Sequence, residues 1–404
     1  LGGQWIGPEQ KRISRLVREY EVATFPTAVE GVDMNVYSGT RHTEIPTAVD
    51  ELFTKLDTLS SGISLETPWL HPQAAMWDRL TFASWLTAEA TEPAAAKFVG
   101  RGIAGGLLAS DAGDVSLLEV LFYVASGGGV RSLMDCEGGA QQTRIVGGPH
   151  AVAKAMAADL SPEVVLLNQP VRAIRQTANE VTVITDKSTY HASRAIVAIP
   201  PVLAGRIDYS PALPAIRDGL TQHMPAGYAL KMHALYDRPF WRDAGWNGIA
   251  LTDEGPVAET FDNSPPDSSY GALAIFVYGA DARKLRSISV DEQRREVLEH
   301  LMRLYGPKAS RIKDFISFDW TAEPWTRGCF SGHFTPGGWL GYGSALRQPV
   351  GRLHWAGTET ATHWNGYIDG AVESGERAAQ EIITAQKSGD SVLRQMVASV
   401  YASG

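Results

Sequence analysis

The sequence predicts a mixed α/β fold of two domains assembled from interleaved segments. Three observations carry that expectation. The chain has 404 residues, more than one core commonly fills. Short β-type runs cluster in its middle, and helical apolar spacing flanks them on both sides. No Pro/Gly/Ser-rich linker separates the two textures, so the domains must share segments.

Taken in order, residues 8–20 place Ile13, Leu16 and Val17 on one helical face, and 50–59 repeats the pattern. Residues 93–129 read as an Ala/Gly/Leu-rich helical stretch with breaks at Gly105-Gly106 and at Gly127-Gly128-Gly129. Strands are expected at 164–167, 171–174, 181–184 and 195–199, the last stopped by Pro200-Pro201. This cluster suggests a three-stranded meander of the kind that decorates dinucleotide-binding sheets. Residues 232–236 and 273–278 are further strands. The clearest helix is 289–304, with Ser289 and Glu292 as a capping box, Val297, Leu298, Leu301 and Leu304 as its stripe, and Gly306 behind it. The strand Leu353-His354-Trp355, a Gly-containing loop and a helix over 370–384 follow.

Composition removes several classes of function. Hydrophobic residues make up 44% and charged residues 20%, which excludes a disordered or fibrous chain. The formal net charge is −9 and no basic cluster occurs, which argues against a nucleic-acid partner. No apolar run is long enough for a membrane span, and the tail 386–404 cannot supply an anchor. Two cysteines, Cys136 and Cys329, cannot form a disulfide framework and point to a reducing, cytoplasmic setting. The ten histidines lack ligand spacing, so no metal is expected. The chain opens Leu1-Gly2-Gly3-Gln4-Trp5, without Met or a signal sequence, and the expectation is that the native protein continues upstream.

The most informative stretch is LHWAGTETATHWNGYIDGAVESGERAAQEII, residues 353–383. A buried strand leads through Gly357 into a loop, then into a helix whose first N–H groups favour negative charge. With LGGQWIGPEQ, GGAQQTRIVGG, RAIVAIPP and LKMHALYDRPFW in the same order, the chain resembles the flavin-containing monoamine oxidases from residue 1 to about 385. That resemblance implies a two-domain flavin amine oxidase fold. A Rossmann-like FAD-binding domain (1–24, 146–220 and 323–385) is interleaved with a substrate domain (25–145 and 221–322), and 386–404 forms a tail. One element of the family pattern is missing: no strand leading through a G-x-G-x-x-G turn into a helix, the unit that holds the FAD pyrophosphate, opens this sequence, and the one match to that spacing, Gly100 to Gly105, falls within the helical stretch 93–129. A flavin-free interaction module is therefore the non-enzyme alternative.

The resemblance implies roles for single residues. Gly2, Gly3, Gln4 and Trp5 would line the flavin, Val171 would meet the adenine, and Trp320 would pack beside the ring. Gly357, Glu359, Thr360, Tyr367 and Ile368 would surround the ribityl chain and pyrimidine edge. Lys231 would hold a water against the flavin and assist reaction with O2. Cys329 matches a cysteine that some members bond to FAD; noncovalent FAD is the expectation and a covalent link the alternative. Phe330 and Tyr367 match the aromatic pair that holds the substrate, with Leu107, Leu133 and Gln141 as pocket positions. The implied reaction takes a primary amine and O2 to an aldehyde, ammonia and hydrogen peroxide. None of these matched pocket positions is acidic, which points to an apolar or aryl amine. Polyamine and L-amino-acid oxidation remain alternatives on the same fold, and a homodimer is compatible with all of them.

Overall fold

The computed structural model describes residues 2–402, with side chains through residue 387. Its largest sheet has seven strands in the order Asp314–Asp319, Ala229–Tyr236, Gly271–Tyr278, Glu259–Asp262, Trp246–Thr252, Val32–Tyr37 and Thr40–His42. Neighbours run antiparallel except Trp246–Thr252 beside Val32–Tyr37, which are parallel. Alternation along Ala229–Tyr236 decides what each face receives. Leu230, Met232, Ala234 and Tyr236 pack under the helix Val290–Tyr305 through Val297, Leu301 and Leu304. Ala229 turns to the opposite face, where it joins Phe261, Phe276, Tyr278, Trp5 and Cys329. Lys231 and His233 share that second face by parity.

The helix Val290–Tyr305 forms as its sequence demands. Ser289 Oγ accepts from the Glu292 backbone N–H, and the Glu292 carboxylate accepts from Ser289 N. The meander is also present, but with different strands. Val171–Gln176, Val181–Thr185 and Thr189–Ala192 form it, with Asp208–Ser210 parallel to the first. Ala195–Val197 leaves for a parallel pair with Leu353–Trp355. The strand expected at 164–167 does not form: Val164, Leu166 and Leu167 are 58%, 49% and 77% exposed, and no described strand lies beside them. A β-prone run needs a partner for its backbone before it becomes a strand.

The break expected at Gly105-Gly106 is not a break either. Helix continues through Gly100–Gly105, as a π-turn, into Gly106–Leu108, and the chain turns only at Ala109, φ 51°. The two glycines serve close packing instead. A Cβ on Gly105 would lie 3.0 Å from the Tyr278 ring, and one on Gly106 would collide with the Glu259 carboxyl. The break at Gly127-Gly128-Gly129 does occur, after Leu117–Ser126.

Near the chain start, Trp5–Ile6 pairs with Thr143–Ile145, which also pairs with Thr24–Pro26. The helix Lys11–Glu19 has no cap from its own N-terminal side chain. Asp369, from the first turn of the helix that starts at Ile368, accepts from the backbone N–H of Arg12 and Ile13 at 2.7 and 2.9 Å. One carboxylate thereby locks the first helix onto the last.

Candidate active site

Five segments converge on the second face of the large sheet. The strand Ala229–Tyr236 brings Lys231, which is only 4% exposed, so a solvent-facing strand lysine is ruled out. Its ammonium donates to the Gly2 carbonyl at 2.7 Å and to Gln4 Oε1 at 2.9 Å, and it lies over the Trp5 and Phe276 rings. Burial lowers its pKa to about 8. Gln4 passes the contact on: its Nε2 donates to Asn263 Oδ1 at 2.9 Å, and Asn263 Nδ2 faces His233 Nδ1 at 3.3 Å.

The Gly2-Gly3 turn is a cradle. A Cβ on Gly2 would stand 3.7 Å from Trp320, and one on Gly3 4.0 Å from Ile368. Backbone is thus presented between an indole and an aliphatic side chain, with a lysine fixing its carbonyl from behind. Trp5 Nε1 is buried there with no hydrogen-bond partner among the described residues. On the far wall, Gly357 holds φ 116° and opens a short turn, Thr358–Thr360. Glu359 is buried and accepts from Gly332 N at 3.0 Å, and burial raises its pKa. Thr360 is engaged internally, by the Gly357 carbonyl and Arg377. Thr358 Oγ1 donates to the Tyr367 carbonyl at 2.8 Å, which ties this turn to the aromatic wall.

Phe330 sits at φ 63°, a left-handed conformation costly for an aromatic residue, and is 41% exposed. Its ring meets Tyr278 edge-on at 5.7 Å. Tyr367 packs edge-on to Trp364 at 5.2 Å and is tilted to Tyr123 at 6.2 Å. Among the described residues no ring contact joins Phe330 to Tyr367 directly, so each is held by its own aromatic support. Cys329, beside Phe330, pairs with Gly227, and burial pushes its thiol up to about 11. Cys136 joins the same apolar cluster and is raised to about 12, an inert thiol.

The remaining expected positions separate into two groups. Leu133 is wholly buried against Gly127, and Gln141 Nε2 donates to its carbonyl at 3.0 Å, leaving Gln141 Oε1 buried without a hydrogen-bond partner among the described residues. Leu107 is 6% exposed, on the short helix behind the two glycines that ride over Tyr278 and Glu259. Val171 lies apart, at the start of the meander. Sequence reasoning did not single out Tyr123, Tyr278, Asn263 or Glu259. A signal for the last existed: Glu259 interrupts the apolar run VAETF.

The described residues hold no cluster of His, Cys, Asp and Glu able to bind a metal. They do fit the ring half of a flavin: a glycine turn open to a planar group, an orphaned indole N–H and a buried cation. A family model for flavin containing amine oxidoreductase matches residues 1–383. The chain belongs to that family. It is a flavin amine oxidase. A probable flavin-containing monoamine oxidase A of Dictyostelium discoideum is 37% identical over 394 residues, covering 95% of this chain and 86% of that protein. Two solved structures superpose with TM-scores of 0.91. One is a putrescine oxidase bound to putrescine, 34% identical, over 95% of this chain and 88% of that one. The other is the cyclohexylamine oxidase of Brevibacterium oxydans IH-35A, 29% identical, over 96% and 88%. The family oxidises amines with a flavin, and no described helix of this chain is long and apolar enough to cross a membrane.

Proposed function

We propose that this flavin amine oxidase binds a neutral primary amine between Phe330 and Tyr367 and delivers its electrons to O2 with assistance from Lys231. The observation that carries the reading is Lys231 itself, a buried ammonium fixed at 2.7 Å to the carbonyl of the Gly2 cradle. FAD supplies the two-electron acceptor. Gly2, Gly3, Gln4, Trp5, Trp320, Gly357, Glu359, Thr360, Tyr367 and Ile368 hold its ring half, and Val171 contributes on the adenine side. On this reading 1–24, 146–220 and 323–385 make up the cofactor domain, and 25–145 with 221–322, which carries Lys231, the substrate domain.

The chain's own groups bind, orient and exclude water. Apolar walls at Phe330 and Tyr367 disfavour a charged nitrogen, so the reacting amine enters without its extra proton. Flat rings on two sides orient its α-carbon and leave room for an unbranched C–N unit. Lys231 places positive charge where O2 gains negative charge. The raised thiol pKa of Cys329 leaves little thiolate, which supports noncovalent FAD. Two free cysteines support a cytoplasmic location. The amino-acid alternative finds no support in the buried arginines. Arg217 donates to the Ala345 and Leu346 carbonyls and stacks on Trp355, and Arg101 is engaged by Asp281 and two carbonyls.

Phe330→Ala tests the reading, because alanine at the same strained φ removes the ring and little else. Peroxide release with phenethylamine or butylamine should lose at least tenfold in kcat/KM, about 1.4 kcal/mol. Unchanged kcat/KM would remove Phe330 from the substrate site.

A further inference from the structure

His233 is a buried imidazole that the reaction outlined above does not use. It leaves the strand Ala229–Tyr236 two residues after Lys231, on the same face, and is 7% exposed. Its hydrogen-bonding partner among the described residues is Asn263, whose Nδ2 lies 3.3 Å from the ring Nδ1. Asn263 is itself fixed through its backbone. Its N–H donates to the Ala272 carbonyl at 2.7 Å, and its own carbonyl accepts from Arg144 at 3.2 Å. What can still turn is its amide, which meets Gln4, and Gln4 meets Lys231. Four side chains from three separate parts of the sequence thus form one line, His233–Asn263–Gln4–Lys231, beside the apolar cluster of Trp5, Phe261 and Phe276.

The chemistry of the lysine end fixes the direction of every bond in that line. An ammonium can only donate, so Gln4 must turn Oε1 to Lys231, at 2.9 Å. Gln4 Nε2 then faces Asn263 and donates to Oδ1, also at 2.9 Å. That leaves Asn263 Nδ2, a donor, against His233. The ring Nδ1 therefore has to accept, and the imidazole must be neutral with its proton on Nε2. Its surroundings keep it neutral. Burial, with positive charge on Lys231 and Arg144, lowers His233 to about 3. Among the described residues those two cations are the charged groups that act on it, and neither is an acid. A proton on Nδ1 would set two donors against each other and turn both amides over, which would bring Gln4 Nε2 against the ammonium.

We infer that His233 and Asn263 are positioning residues for the reaction with O2: acting through Gln4, they hold an acceptor on Lys231 and keep its buried ammonium charged. The inference rests on the role proposed for Lys231 and deepens it. The Gly2 carbonyl is a fixed acceptor, whereas the Gln4 amide has two ends of nearly equal shape. Its neighbour in the line decides which end the lysine meets. Each amide is also polarised by the next, which strengthens the bond to the ammonium.

The pH profile of the O2 half-reaction in the FAD-loaded enzyme, followed by stopped flow, tests this. Charge on Lys231 is lost as pH rises through about 8, so the rate constant has a falling limb there. His233 is uncharged across that range, and replacing it changes no nearby charge. His233→Leu removes the terminal acceptor and should move the limb down by at least about half a pH unit. His233→Asn, whose Oδ1 stands near the place of Nδ1, should restore the parent midpoint. The midpoint is the readout because a packing defect slows the reaction at every pH and leaves the midpoint where it was. If His233→Leu does not fold, Asn263→Leu breaks the same line and should shift the limb in the same direction. A midpoint unmoved in the leucine variants, or moved as far by His233→Asn, overturns the inference and leaves the function standing. An O2 half-reaction in Lys231→Met as fast as the parent's, with the same limb, overturns the role of Lys231 on which it rests.

Discussion

Lys231 shows how far a single residue could be read. A lysine between Leu230 and Met232 is anomalous in an apolar strand, and the fold explains it by giving the ammonium two acceptors and two aromatic faces. Below its lowered pKa of about 8 the group is charged, and it loses that charge as pH rises through 8. The rate of the O2 half-reaction should therefore fall above about pH 8, and Lys231→Met should be slow and flat across that range. Stopped-flow measurement of the two half-reactions checks this, and the amine half-reaction should change less. Cys329 makes a separate test. Acid precipitation should leave the yellow colour in the supernatant, whereas colour retained by the pellet and released in Cys329→Ala would establish a covalent bond. Glu259 stayed hidden at this scale. It meets Tyr278, 19 positions away, and Gly106, more than a hundred positions away, and the second contact leaves no local signal.

Elements with local signals were legible, and those that depend on distant partners were not. The capping box of Val290–Tyr305 and the apolar stripe of Lys11–Glu19 needed only neighbouring residues. Residues 164–167 have strand composition but no strand beside them, and Gly105-Gly106 signals a break in sequence yet a close approach in space. Gly366 belongs with the second kind. It holds φ 84°, and a Cβ there would strike the Tyr123 hydroxyl, which supports Tyr367. Gly366→Ala should cost more than about 1 kcal/mol in urea unfolding. The displaced Tyr367 should lower kcat/KM for amines as well. A stability loss with intact kinetics would mean that Tyr123 yields without moving the aromatic wall.

Across the whole molecule, buried acids make stability depend on pH in a defined direction. Burial raises Glu119, held by the Trp339 indole N–H at 2.7 Å, and Glu259 to about 8 from 4.5. The folded protein keeps these protons where the unfolded chain has released them, so stability falls as pH climbs towards 8. Buried His233, His300 and His333 act oppositely, but only below their unfolded value of 6.5. Between pH 6.5 and 8 the acids dominate, and Tm should drop. Glu119→Gln, which keeps an acceptor for Trp339, should flatten that slope; an unchanged slope would place the buried charge elsewhere. At the same scale, residues far apart in sequence meet: Lys231 holds the Gly2 carbonyl, and Gly3 approaches Ile368. The most direct measurement of the central claim is product balance in the FAD-loaded protein under air. Each primary amine consumed should yield one ammonia and one hydrogen peroxide, and Lys231→Met should slow both together. Peroxide without amine loss, or amine loss without ammonia, would contradict oxidative deamination at this site.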